Sequence, residues 1–132
     1  MTSKGEQKIE KLLTDARLNF KREYIFPDLY GYKKTPLRFD FAVFQGKRLV
    51  CLIEVDGRQH FEYVPHFHKT VSSFKRQQEW DRRKNKYCLM HGFPLIRVPY
   101  WSLETLTLQE IFTNSKFLVK DKFHNDNLQR QG

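Results

Sequence analysis

Cysteine is scarce in this 132-residue chain, which carries only Cys51 and Cys88. Their spacing matches no metal-ligand pattern, so both read as buried, reduced thiols. Long apolar runs are missing too, since no stretch approaches the roughly 18 residues of a membrane-spanning helix. The opening MTSKGEQKIEKLL carries charge where a signal peptide needs its apolar segment, so no export signal is read there and a cytoplasmic protein is expected. Repeats, linkers and low-complexity stretches are absent until a polar tail. The expected organisation is therefore one domain over residues 1–118 and a tail over 119–132. Acidic residues are outnumbered, 15 Asp and Glu against 24 Lys and Arg, for a formal charge of +9. That imbalance favours a polyanionic partner, most commonly nucleic acid. Hydrophobic residues at 39% and aromatics at 15% exclude a disordered chain.

What is present is a clear alternation of helical and extended patterns. SKGE reads as a capping box, with Ser3 at the N-cap and Glu6 three positions on. Ile9, Leu12, Leu13 and Ala16 then form a helical stripe. NFKREYIF alternates as a strand, with Phe20, Tyr24 and Phe26 on one face and an end at Pro27-Asp28. After the basic loop LYGYKKTP, the segments LRFDFAVF and LVCLIEV form a hairpin around QGKR. HFEYVPHFHKTVSS reads as a loop, and a helix runs from about Phe74 to Met90, ending at His91-Gly92. PLIRVPY is a last buried strand, and Ser102 is expected to cap a final helix carrying Leu103, Leu106 and Ile111. The order αβββαβα contains a βαβ crossover, so the strands ending at Val55 and starting at Leu95 should be parallel. An α/β fold with a mixed four-stranded sheet between helices follows.

The titratable residues are the unusual feature. Asp40 lies between Phe39 and Phe41 and, by strand alternation, opposite both rings. Glu54 ends an all-apolar strand, where an unpaired carboxylate would cost several kcal/mol, so it needs a cation or metal partner. The hairpin brings Asp40 opposite Glu54 if its loop is odd or a bulge compensates. Glu6 shares the helical stripe of Leu13 and faces the sheet while completing the capping box. Asp81 shares a helix face with Phe74 and Cys88. Lys75, Arg76, Arg82, Arg83 and Lys86 crowd another arc of the same helix, either as a solvated face or as a grip on phosphates. His60, just past the strand end and a DG turn, is a general acid or base candidate. His66 and His68 lack further Cys or His at ligand spacing and are not read as a zinc site.

Five segments, SKGEQKIEKLL, LRFDFAVF, IEVDGRQHF, WDRRKNKYC and LIRVPYW, resemble the PD-(D/E)XK nuclease superfamily. The resemblance is to its very-short-patch-repair-like branch, which includes small phage and bacterial proteins and the homing endonucleases with an E-D-x-H-D motif. It spans Ser3 to Trp101. It implies a restriction-endonuclease-like αβββαβ core, a phage or bacterial source, and Mg²⁺-dependent hydrolysis of DNA phosphodiesters, with Mn²⁺ as substitute. Glu6 then matches the first-helix acid, Asp40 the central metal-binding Asp, Glu54 the acid of the (D/E)XK pair, His60 the motif His and Asp81 the final Asp. Metal would be held by Asp40 with Glu54 or the Val55 carbonyl. Asp56 stands where the superfamily has Lys, leaving Gln59, His60 or Arg58 to take over that role. Lys33, Lys34, Arg38, Arg58, Lys75, Arg82, Arg83 and Lys86 are the expected DNA contacts.

The rival readings keep the charge and change the chemistry. One is a DNA-binding module without catalysis, another a structure-specific nuclease such as a junction resolvase, and a third an RNA binder that stacks bases on its aromatics. The chain shows no appended DNA-reading module. Sequence preference would then come from its own loops, from a homodimer, or from a partner DNA-binding protein.

Overall fold

Apolar runs of strand length separated by tight turns give a sheet whose strands lie in the order β1-β2-β3-β4 in the computed structural model, which describes residues 2–128. These strands are β1 (Asn19–Tyr30), β2 (Pro36–Gln45), β3 (Arg48–Asp56) and β4 (Leu95–Pro99). The first two pairings are antiparallel, and β3 pairs with β4 in parallel across the expected crossover. The helices are α1 (Lys4–Asp15), α2 (Val71–His91), α3 (Leu108–Thr113) and α4 (His124–Asn127). One core lies between the sheet and α1, built on Ile9, Leu13, Phe41, Ile53 and Val98. The other lies under α2 and holds Phe39, Leu52, Cys88 and Leu95. Burial pushes the Cys51 and Cys88 thiols up to about 12, which keeps both protonated and unreactive.

Several boundaries differ from those expected. β1 continues past Pro27 to Tyr30 because it is an edge strand, where a missing N–H breaks no ladder. α2 starts at Val71 because the Thr70 side chain caps it, accepting from the Ser73 N–H at 3.1 Å. Ser102 lies in a 3₁₀ turn and caps nothing; Thr107 caps α3 instead. Residues 119–128 of the expected polar tail are docked. Val119 donates its N–H to the Leu95 carbonyl at 2.9 Å and is 5% exposed, and Leu118 bridges to Ile96, so this segment covers the open edge of β4. Residues 129–132 of that tail lie outside the described residues.

Strand alternation breaks where the site sits. Phe20 packs with the α1-side core while Tyr24 and Phe26 pack with the α2-side core, so the three do not share a face. Between them Glu23 adopts a left-handed φ of 51°. On β2 the same switch separates Phe39 from Phe41, so Asp40 does not lie opposite two rings on one face. The expected geometry fails because it assumed a regular pleat through the position where the sheet forks.

α1 approaches the sheet closely at its first turn. A Cβ on Gly5 would lie 2.7 Å from Leu103 Cδ1 and 2.8 Å from Val55 Cγ1. Gly5→Ala should therefore lower stability by roughly 1 kcal/mol, an overpacking cost partly offset by better helix propensity. In a Val55→Ala chain the same substitution should cost less, the Leu103 contact alone remaining. Equal losses in both backgrounds would mean that the contact is not what Gly5 preserves.

Candidate active site

Two acids interlock where β2 and β3 part. The hairpin turns at Gly46-Lys47, and a register shift between Val43 and Phe44 supplies the compensating bulge. That shift sets Phe41 against Ile53 and brings Asp40 level with Glu54. Backbone pairing stops there and side chains take over. Glu54 Oε1 accepts the Asp40 N–H at 3.1 Å, and Asp40 Oδ2 accepts the Val55 N–H at 2.7 Å. Each carboxylate thus satisfies a backbone donor that the fork would otherwise orphan. Among the described residues, no protein group hydrogen-bonds Asp40 Oδ1 or Glu54 Oε2.

The acids open onto a cleft of about 460 Å³ that Glu6, Val55, Gln59, His60 and Lys84 also line. Burial first, and then the neighbouring Glu54, pushes the Asp40 carboxyl up to about 8, against the Val55 N–H and Lys84. The ammonium of Lys84 lies 3.2 Å from Glu54 Oε1 and 5.4 Å above the Phe39 ring. Glu6 completes the expected capping box with Ser3, lines the cleft, and also binds Arg22 Nη2 at 2.9 Å, an ion pair the sequence did not suggest.

His60, on the cleft wall, joins Asp81 in a deeper layer. His60 Nδ1 lies 2.9 Å from Asp81 Oδ2 and 3.6 Å from Asp56 Oδ1. Burial opposes the charged ring, but Asp81 and Asp56 outweigh it and raise His60 to about 9, so it is an imidazolium at neutral pH. Asp81 is held below its usual range, since His60 and Arg97 overcome the burial that opposes its charge. Arg97 Nη1 donates to Asp56 Oδ1 at 2.8 Å and Nε to Asn85 Oδ1 at 2.7 Å, with the whole side chain buried. Asn125, from the docked C-terminal segment, donates to Asp56 Oδ2 at 2.8 Å. Asp56 is therefore committed to this layer and does not line the cleft.

Lys84, Arg97 and Asn125 are the residues sequence reasoning missed. Lys84 follows Asp81 by three positions, which places it 60° around the helix on the same sheet-facing side. Arg97 is a lone charge inside an apolar strand, which by itself demands a buried partner. Asn125 gave no such signal.

The expected DNA contacts line no part of the cleft. Lys33 and Lys34 sit exposed in a turn with left-handed φ values of 53° and 59°, and Arg38 is exposed on β2. Arg58 is paired with Glu62. Lys75, Arg82, Arg83 and Lys86 line a second groove on the face of α2 turned away from Asp81. There Arg82 is clamped by both oxygens of Asp126 at 2.9 and 3.1 Å, and Arg83 lies 3.2 Å from Glu79.

Magnesium, the ion the resemblance implies, suits the donors at the fork. Asp40 and Glu54 are hard oxygen ligands, the Val55 carbonyl is a third candidate, and a cation there would relieve the repulsion that raises Asp40. Among the described residues, no cluster of three or more His, Cys, Asp or Glu forms a metal cage. Two carboxylates match an ion that keeps several of its waters.

No family model matches the chain, and no solved structure matches it. Two curated relatives do. One is described as Uncharacterized protein 307L of Invertebrate iridescent virus 6, 42% identical over 48 residues, or 36% of this chain and 24% of that protein. The other is Uncharacterized protein 094L of Frog virus 3, 46% identical over 56 residues, or 42% of this chain and 36% of that protein. The chain thus matches well under half the length of either relative. No helix among the described residues is long and apolar enough to cross a membrane. The relatives found are iridovirus proteins, whereas a phage or bacterial source was expected.

Proposed function

We propose that this chain is a metal-dependent endodeoxyribonuclease, hydrolysing DNA phosphodiester bonds with Mg²⁺ or, in its place, Mn²⁺. The observation that carries this reading is the interlocked pair of Asp40 and Glu54 at a strand fork, with Lys84 3.2 Å from Glu54 in the same cleft. The resemblance to the very-short-patch-repair-like nucleases supports it, as does the formal charge of +9. Carboxylates repel phosphate unless a cation stands between them, so a cleft built on two acids argues against a simple DNA-binding surface.

A divalent ion held by Asp40 with Glu54 or the Val55 carbonyl would polarise the phosphate and lower the pKa of a bound water. The protein's own groups supply the rest. Lys84 presents an ammonium to the charge that grows on the phosphoryl oxygens, the role that the replaced motif Lys leaves open. His60, held protonated by Asp81 through Nδ1, has a proton at Nε2 to give to the leaving oxygen. This makes it an acid whose limb in a pH profile lies near 9. Glu6 and Gln59 border the same cleft and orient the attacking water.

Supercoiled plasmid incubated with the protein should be nicked or linearised with Mg²⁺ and untouched in EDTA. Lys84→Ala should slow cleavage by about 10²–10³-fold, as for removal of one preorganised charge. Plasmid that is shifted on a gel but never cut, with either Mg²⁺ or Mn²⁺, would overturn the reading in favour of a binding module.

A further inference from the structure

The groove on the far side of α2 has a chemistry of its own. It encloses about 610 Å³ between α2 and the C-terminal segment, lined by Lys75, Arg82, Arg83, Lys86, Lys122 and Phe123. Glu79 and Asp126 engage the two arginines. Among the described residues, Lys75, Lys86 and Lys122 have no carboxylate partner, so three ammonium groups stand along one groove. Phe123 is 44% exposed among them, with Arg82 5.6 Å and Lys122 5.0 Å from its ring centre.

Two features separate this surface from a merely solvated helix face. Phe123 leaves nearly half of its surface to solvent, yet its backbone is pinned. Its N–H donates to Asp121 Oδ1 at 2.8 Å, and the Asn85 side chain, itself fully buried, ties the adjacent Lys122 carbonyl at 3.1 Å. Arg82 is also oriented, because Asp126 takes its Nε and Nη2 while the guanidinium lies against the ring. An exposed ring flanked by cations matches a strand with accessible base faces and a negative backbone. Bases within a duplex are already stacked on one another and offer no face to such a ring. Lys122 and Phe123 fall within the expected polar tail.

We propose that this groove binds single-stranded nucleic acid, with Phe123 stacking on one base and Lys75, Lys86 and Lys122 contacting the phosphates. The site is distinct from the acid cleft and needs no metal. It rests on the proposed nuclease reading only in taking nucleic acid as the partner. It would hold an unpaired strand, as at a gap, flap or opened duplex, against α2 while the cleft on the helix's other side remains free.

The test is fluorescence anisotropy of the full chain in EDTA, with labelled oligo(dT) and a labelled duplex of equal length. Wild type should prefer the single strand. Phe123→Ala should weaken oligo(dT) binding by about 5- to 150-fold, the range of one base–aromatic stack, and leave duplex binding within twofold. Lys86→Ala with Lys122→Ala should weaken it further and reduce the slope of log affinity against log salt by about 1.4, two single-strand phosphate contacts. If Phe123→Ala fails to fold by circular dichroism, the lysine pair alone decides through that slope. Oligo(dT) binding unchanged in the folded variants, or equal losses for duplex and single strand, would overturn the proposal. The anisotropy is read in EDTA and depends on no residue of the acid cleft. Failure of the cleft as a nuclease site would therefore show in the plasmid assay and leave this result standing.

Discussion

Asp40→Asn should abolish Mg²⁺-dependent plasmid cleavage and, at pH 8.5 without metal, raise the melting temperature by roughly 10–20 °C. Both effects come from one carboxyl. Its folded value is about 8 against 3.8 for the free group, so the metal-free fold keeps a proton that the unfolded chain has already released. Native stability then declines as pH climbs from about 4 to about 8, and the full penalty applies above 8. Asn keeps the acceptor for the Val55 N–H and removes the charge, so the penalty disappears. At pH 4 the variant should melt with wild type. Mg²⁺ supplies the missing countercharge, so it should raise the melting temperature of wild type, increasingly so from pH 6 to 8 as the competing proton leaves. The variant should not respond. A Mg²⁺ shift in Asp40→Asn equal to that of wild type would place the ion elsewhere, whatever the cleavage assay shows.

Features set by local pattern were legible before the structure. Apolar runs of strand length and the βαβ crossover yielded the element order and the parallel pairing of β3 with β4. Counting hairpin residues required an odd loop or a bulge if Asp40 was to meet Glu54, and the register shift at Val43/Phe44 is the bulge. Helical spacing turned Glu6 and Asp81 inward. The side-chain direction of Asp40 was not legible, because alternation assumes a regular pleat and Glu23 breaks it with a left-handed backbone. Partners distant in sequence were not legible either. Asn125 meets Asp56 across 69 residues, and a single asparagine in a polar stretch carries no periodic signal. Arg82 looked like a phosphate contact because its partner Asp126 is 44 positions away.

Arg97 is where the largest loss of stability should fall. Its side chain is 0% exposed and touches Asp56, Asp81 and Asn85, with no route to solvent for any of its nitrogens. Arg97→Met keeps the volume of the stem but leaves Asp56 and Asp81 buried against the single positive charge of His60. Breaking one side of such a buried network costs about 3–5 kcal/mol, which should lower the melting temperature by about 10–20 °C. Asp56→Asn in the same chain should recover a good part of that loss, since it removes the charge that Arg97 had balanced. The pH dependence provides a second check. His60 has a raised value of about 9, so the stability it contributes is fully present below 6.5 and is lost as pH rises through 9. Arg97 is one of the groups that pull this value down, so its removal pushes His60 higher still. Wild-type stability should therefore stop falling on this account near pH 9, while that of Arg97→Met continues to fall. The gap between the two should widen from pH 9 to pH 10.5 in urea titrations. A constant gap across that range would mean that Arg97 contributes through packing alone, with Asp56 and Asp81 balanced by other groups.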